Sequence, residues 1–297
     1  MGNYTAEDYI DSPAVFDEHL YLSRPVTQIY GAISLGLTGL VLGLRLFIFP
    51  HLVFDSLKSF CFTSLSLLFI SITQLIQNVC QLYHGYLMVQ AFAKIPLITM
   101  YSCAIFCAAW LCQSLLYLTL VPATIVQTIG STKLKARTVF LIYLLICLSL
   151  TLLFFAANYP PFHQSILYFD FPMWMINGFI QLPLTWISLQ LNHALDIFVA
   201  FVMLISLIIL LISCPFTGEK TQLMNNIRKE VFWTAIYFCV TTAISISRGF
   251  VINDQNAGKS KDGAALCYLG SILWGLGKPV IYMIVHRKSV CFRKLLP

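Results

Sequence analysis

The sequence predicts an all-α bundle of seven transmembrane helices, with the N-terminus outside and the C-terminus inside. Three observations carry this expectation. The 297-residue chain is 59% hydrophobic and only 10% charged, against about 25% charged in a soluble domain. Its apolar residues gather into seven stretches, each near the ~20 residues that a helix needs to cross a bilayer. Its basic residues gather between alternate stretches, as the positive-inside rule requires.

Residues 1–26 read as an extracellular tail, 27–286 as the transmembrane domain and 287–297 as a short basic cytoplasmic tail. The first tail carries Glu7, Asp8, Asp11, Asp17 and Glu18 against Arg24, so it lacks the basic-then-apolar order of a cleavable signal peptide. Asn3-Tyr4-Thr5 is an N-glycosylation sequon on that outer side. The spans are expected at about 28–49, 59–82, 96–122, 138–157, 187–213, 231–251 and 264–286. The inner side then receives Arg45, Lys58, Lys133, Lys135, Arg137, Lys220, Arg228, Lys229, Arg287, Lys288, Arg293 and Lys294, 12 of the 18 basic residues. The net charge of +6 is therefore membrane-topogenic, and no nucleic-acid partner is expected.

Phe171 to Cys214 is almost uncharged and has room for two spans. An eighth span would turn Lys220, Arg228, Lys229 and the basic tail outwards, against the rule, so seven are kept. The aromatic and proline-rich part between 158 and 186 becomes a long second outer loop. Ten cysteines include no C-x-x-C pair, and most lie inside apolar segments as small hydrophobes. No metal site, enzymatic constellation or cofactor motif is evident.

The last span reads Tyr268-Leu-Gly-Ser-Ile-Leu-Trp274-Gly-Leu-Gly-Lys278-Pro279-Val280-Ile281-Tyr282, followed by a basic tail with Cys291. It resembles the seventh helix of rhodopsin-like G-protein-coupled receptors, which carry Asn-Pro-x-x-Tyr there and an amphipathic eighth helix after it. Further stretches are similar to the nematode serpentine chemoreceptors, most closely class T: Arg24-Pro25 leading to Gly31, Tyr83-His84-Gly85-Tyr86-Leu87, Trp110 to Leu120, Leu191-Asn192-His193 and Trp274-x-x-Gly277-Lys278-Pro279-x-x-Tyr282. The resemblance implies a plasma-membrane chemoreceptor of sensory neurons, ciliary in location. It implies a small-molecule ligand and a heterotrimeric G protein as partners, and Lys278, Pro279 and Tyr282 as switch residues. One departure bears on coupling. Leu118-Thr119-Leu120-Val121-Pro122 stands where such receptors carry an arginine that contacts the G protein.

Within this frame, Lys278 has two readings. It snorkels to the headgroups or binds the Gly275 carbonyl freed by Pro279; or its ammonium takes the place of the sodium that related receptors hold between Asp and Asn. Retinal is not expected, because an opsin-type lysine would stand at Ile272 and the third helix has no carboxylate. Asn192, His193 and Asp196 share a face at the outer end of the fifth helix, either as a ligand anchor or as an interhelical tie. Tyr101, Trp110, Tyr268 and Trp274 are aromatic candidates for a pocket lining, against plain packing as the other reading. Gln74, Gln77, Asn78 and Gln81 read as interhelical bonds. Lys133, Lys135, Arg137, Arg228 and Lys229 serve topology and are placed to face a G protein. Cys291, beside basic residues, is a palmitoylation candidate. A transporter or channel subunit is the alternative class. It would need paired intramembrane charges and internal repeats. A receptor relative that no longer signals is a third.

Overall fold

In lipid every backbone N–H and C=O must be bonded within its own segment, so apolar stretches this long resolve into helices. The computed structural model describes residues 24–90, 97–129, 136–157, 167–170, 175–178, 183–213, 222–252, 272–273 and 275–286. It places seven helices there: α1 Arg24–Ser59, α2 Phe62–Gln90, α3 Leu97–Ile129, α4 Ala136–Ala157, α5 Pro183–Ser213, α6 Gln222–Ile252 and α7 Gly277–Val285. Five of these are long and apolar enough to cross a membrane: α1 to α5, by their stretches Gln28–Ser59, Phe62–Gln90, Ala108–Gln127, Thr138–Ala156 and Ala194–Ile212. α6 is long but more polar, and α7 is described over nine residues only. Exposed leucines and isoleucines line the outward faces of α4 and α5, among them Leu145, Leu152, Leu153, Ile208 and Ile212. Such belts suit a membrane protein.

Two prolines fall inside helices rather than at their ends. Pro50 lies in α1 and Pro122 in α3. Each lacks an N–H, but neighbouring helices satisfy the freed backbone in a membrane bundle. α1 therefore runs ten residues past the expected end at 49, and α3 seven past 122. The chain reverses at Phe60, whose φ of 44° is left-handed. Ser59 donates its hydroxyl to the Asp55 carbonyl at 2.8 Å, and its oxygen stands 2.8 Å from Ser64 Oγ, tying the turn to both helices.

The helices close into a ring around α3. α2, α4, α5 and α6 all pack on α3, and α7 packs on both α6 and α1. The largest core joins α2, α3, α5 and α6 through Leu67, Leu116, Tyr117, Leu120, Met203 and Phe238. Between α4 and α5, in the segment expected as a loop, Leu167–Asp170 (β1) pairs antiparallel with Met175–Gly178 (β2), Leu167 opposite Gly178. Tyr168, Phe169 and Ile176 favour a strand. The described residues there form a hairpin, not an additional helix.

α1 meets α2 closely at Gly31, where an added Cβ would stand 2.6 Å from the Val89 nitrogen and 2.7 Å from Met88 Cβ. Gln28 Nε2 bonds the Val89 carbonyl at 3.1 Å on the same contact. Gly31→Leu is expected to remove most of the monodisperse protein in detergent size-exclusion chromatography. Gly36→Leu, at a position with nothing within 4 Å, will leave the peak unchanged; similar losses for both would refute the close approach.

Candidate functional site

The spans expected from sequence are apolar almost throughout, yet the described interior holds five formally charged side chains: Arg45, Asp55, Asp196, Glu230 and Lys278, with His84 and His286 beside them. A charge at a helix centre costs about 2.5–3.5 kcal/mol by insertion scales. Such groups persist only where partners compensate, and their partners define three levels in the bundle.

The first level is a polar cavity of about 210 Å³, lined by six helices or their flanks through residues that include Arg45, Gln74, Gln77, Asn78, Gln81, Trp110, Gln113, Tyr117, Asp196 and Gly275. Asp196 accepts the Trp110 indole N–H at 2.8 Å and the Ser114 hydroxyl at 2.5 Å. It thus joins α5 to α3 and also lines the cavity, so the ligand and tie readings of this residue meet in one place. Of the amides on α2, Gln74 bonds the Tyr117 hydroxyl at 3.3 Å, which is interhelical, whereas Asn78 bonds Gln81 at 2.9 Å on its own helix. All four face the cavity.

The second level is built on the break before α7. The Gly275 carbonyl is taken by Arg45 Nη2 at 2.9 Å. Arg45 is 9% exposed, so this residue, counted above with the inner-side charges, stands instead in the bundle interior. Lys278 neither snorkels nor binds Gly275. It is 3% exposed and donates to the Leu67 carbonyl at 3.1 Å and to Ser71 Oγ at 3.0 Å, both on α2. Ser71 in turn donates to the same Leu67 carbonyl at 2.9 Å. Each hydrogen bond to a charged group contributes roughly 1.5–3 kcal/mol, enough to offset the cost of burying the ammonium.

The third level lies at the end of the bundle that carries the α1–α2 turn. Tyr282 donates its hydroxyl to Asp55 Oδ2 at 2.8 Å. One turn further along α7, His286 stacks on Tyr282, with ring centroids 4.4 Å apart and planes at 15°. Its Nε2 lies 3.0 Å from Glu230 Oε2, and its Nδ1 stands 3.5 Å from Asp55 Oδ2. Glu230 is 2% exposed and His286 1%. Three helices, α1, α6 and α7, are thus held by one buried network. A void of about 10 Å³ lined by both Lys278 and Glu230, with Arg45, Gln74 and Tyr282, joins the second level to the third.

The sequence-predicted residues divide accordingly. Asp196, Lys278 and Tyr282 belong to these networks, and Pro279 lines the connecting void. Arg228 is half-buried and Lys229 exposed at the α6 end beside Glu230. Tyr101, Arg137, Asn192 and His193 are placed on α3, α4 and α5 by backbone alone. Asn3, Lys133, Lys135, Tyr268, Trp274 and Cys291 lie outside the described residues. Sequence reasoning missed Asp55, Ser71, Glu230 and His286. The signals were present: Asp55 and Glu230 are acids in otherwise basic segments, and His286 stands four residues after Tyr282 on one helix face. The Tyr83 to Leu87 stretch does packing work, with His84 Nε2 2.7 Å from Ser102 Oγ on α3 and Gly85 against Ser34 and Leu35 of α1. No protein-family model matches the chain, and no curated protein matches it.

Proposed function

We propose that the chain is a seven-span receptor, N-terminus outside, that binds a small chemical cue in the polar cavity and signals to a heterotrimeric G protein. The observation that carries this reading is the stacking of three polar levels along one bundle: a cavity, a charged joint at the α7 break, and a buried network joining α1, α6 and α7 at the end that carries the α1–α2 turn. A ligand in the cavity would touch Arg45 and therefore Gly275. Movement at Gly275 would reach Lys278 through one turn of α7, and Glu230 and His286 beyond it. Binding biases signalling only through a difference in affinity between two states of this column. With the orientation expected from sequence, the network stands at the cytoplasmic face, where Arg228 and Lys229 flank it. Glu230 and His286 then offer a tie between α6 and α7 in a receptor whose third helix lacks the familiar arginine.

The tagged chain, expressed in cells and challenged with a panel of small odorants and metabolites, is expected to give cyclic-nucleotide or calcium responses that depend on a G protein. A transporter or channel reading gains from the five buried charges among the described residues. Cue-evoked current that persists without any G protein would replace the receptor reading with that one.

A further inference from the structure

The cavity has unmet chemistry of both signs. Arg45 spends Nη2 on Gly275, but its buried Nε has no hydrogen-bond partner. No carboxylate stands within ion-pair distance of its guanidinium among the described residues. A guanidinium presents a planar fork that matches a carboxylate by two parallel N–H···O bonds. Lys278 and Glu230 share the small void below with Arg45, so two cationic side chains stand against one carboxylate there and the floor of the cavity keeps a net positive balance. Asp196, also lining the cavity, is 8% exposed and, among the described residues, is met by two neutral donors, Trp110 and Ser114. A carboxylate has about four acceptor positions, so two remain for a cationic donor. Asn78 Oδ1, buried on the amide face, likewise has no partner, while its Nδ2 is used by Gln81.

We infer that the cavity takes a small zwitterion, its carboxylate on Arg45 and its ammonium on Asp196, with the amide face of α2 alongside. The inference rests on the cavity being the ligand site and names the ligand class. The volume of about 210 Å³ admits a short amino acid. Opposite charges at two fixed places discriminate. A ligand lacking one of them leaves a buried charge unanswered, as happens to a site built for a polar group that its analogue lacks.

The test uses the full chain in lipid nanodiscs and measures binding directly, by thermal shift and saturation binding, with no signalling step. The probes are β-alanine, 4-aminobutyrate and 5-aminovalerate, which vary the charge separation, against butyrate, butylamine and butyramide. At least one amino acid is expected to bind ten-fold or more tighter than each single-charge or neutral analogue. Arg45→Gln should abolish the preference for carboxylate, and Asp196→Asn should reduce the amino acid to the level of butyrate. Arg45→Lys, which keeps the charge, should retain a weakened carboxylate preference. The rank order in the unaltered chain decides the matter even if a variant does not fold. Butyramide binding as well as the best amino acid, or no member of the series binding, overturns the inference. Neither outcome touches the receptor reading, which the cue panel and its G-protein dependence test separately.

Discussion

If the chain is the receptor proposed above, Glu230→Gln is expected to raise ligand-independent signalling about ten-fold per copy at the cell surface. Glu230 Oε2 meets His286 Nε2 at 3.0 Å, with both groups almost fully buried, so the contact ties α6 directly to α7. Removing one partner of a buried hydrogen-bonded pair costs about 1–3 kcal/mol, because the other group is left unanswered. Glutamine keeps the volume and one acceptor, so it loses less than alanine and remains foldable. A change of only ~1.4 kcal/mol in the balance between resting and active states shifts their ratio ten-fold. Glu230→Ala is expected to lower surface expression as well. The measurement is basal cyclic nucleotide or calcium normalised to surface tag. Reduced expression with no basal rise would make the network a structural tie only. The double variant with His286→Gln should be less than additive, since residues in one network couple by about 0.5–3 kcal/mol.

Lys278→Asn will have the second largest effect, again raising basal signalling, by several-fold. The ammonium links α7 to the Leu67 carbonyl and to Ser71 of α2. An asparagine is too short to make both bonds, so α7 is released from α2 at the turn that also holds Pro279. Ser71→Ala removes one of the two bonds and should give a smaller shift in the same direction. Unchanged basal activity together with unchanged expression in Lys278→Asn would contradict the assignment of this residue as a switch.

Much of the fold was legible because lipid imposes one simple rule on the backbone. Long apolar runs had to become helices, and α4 and α5 fall close to the expected segments, whereas α2 runs on to Gln90 against an expected end at 82. The helix ends were less legible. Pro50 and Pro122 stand beside the expected span ends at 49 and 122, yet both lie inside their helices, which continue past them. Arg45 illustrates the limit for charges. In sequence it sits near the end of an apolar run and counts as topogenic, whereas only the packing of α7 against α1 brings the Gly275 carbonyl within 2.9 Å of it. Asp55, Glu230 and His286 come from segments 56 to 231 residues apart, and no local pattern pairs them. Lys278 was legible as an anomaly, but its partners on α2 were not. The bond that sequence reasoning offered to it, at Gly275, belongs to Arg45 instead.

The central claim is that a cue held in the cavity changes the α6–α7 contact at the far end of the column and so activates a G protein. The most direct test reconstitutes the purified chain in vesicles with heterotrimeric G proteins and a cue from the cell panel, and records nucleotide exchange and solute flux on the same vesicles. The account predicts cue-dependent exchange that exceeds the cue-free rate, that is reduced in its cue dependence by Glu230→Gln, and that is accompanied by no flux. Cue-dependent flux with no nucleotide exchange would contradict it.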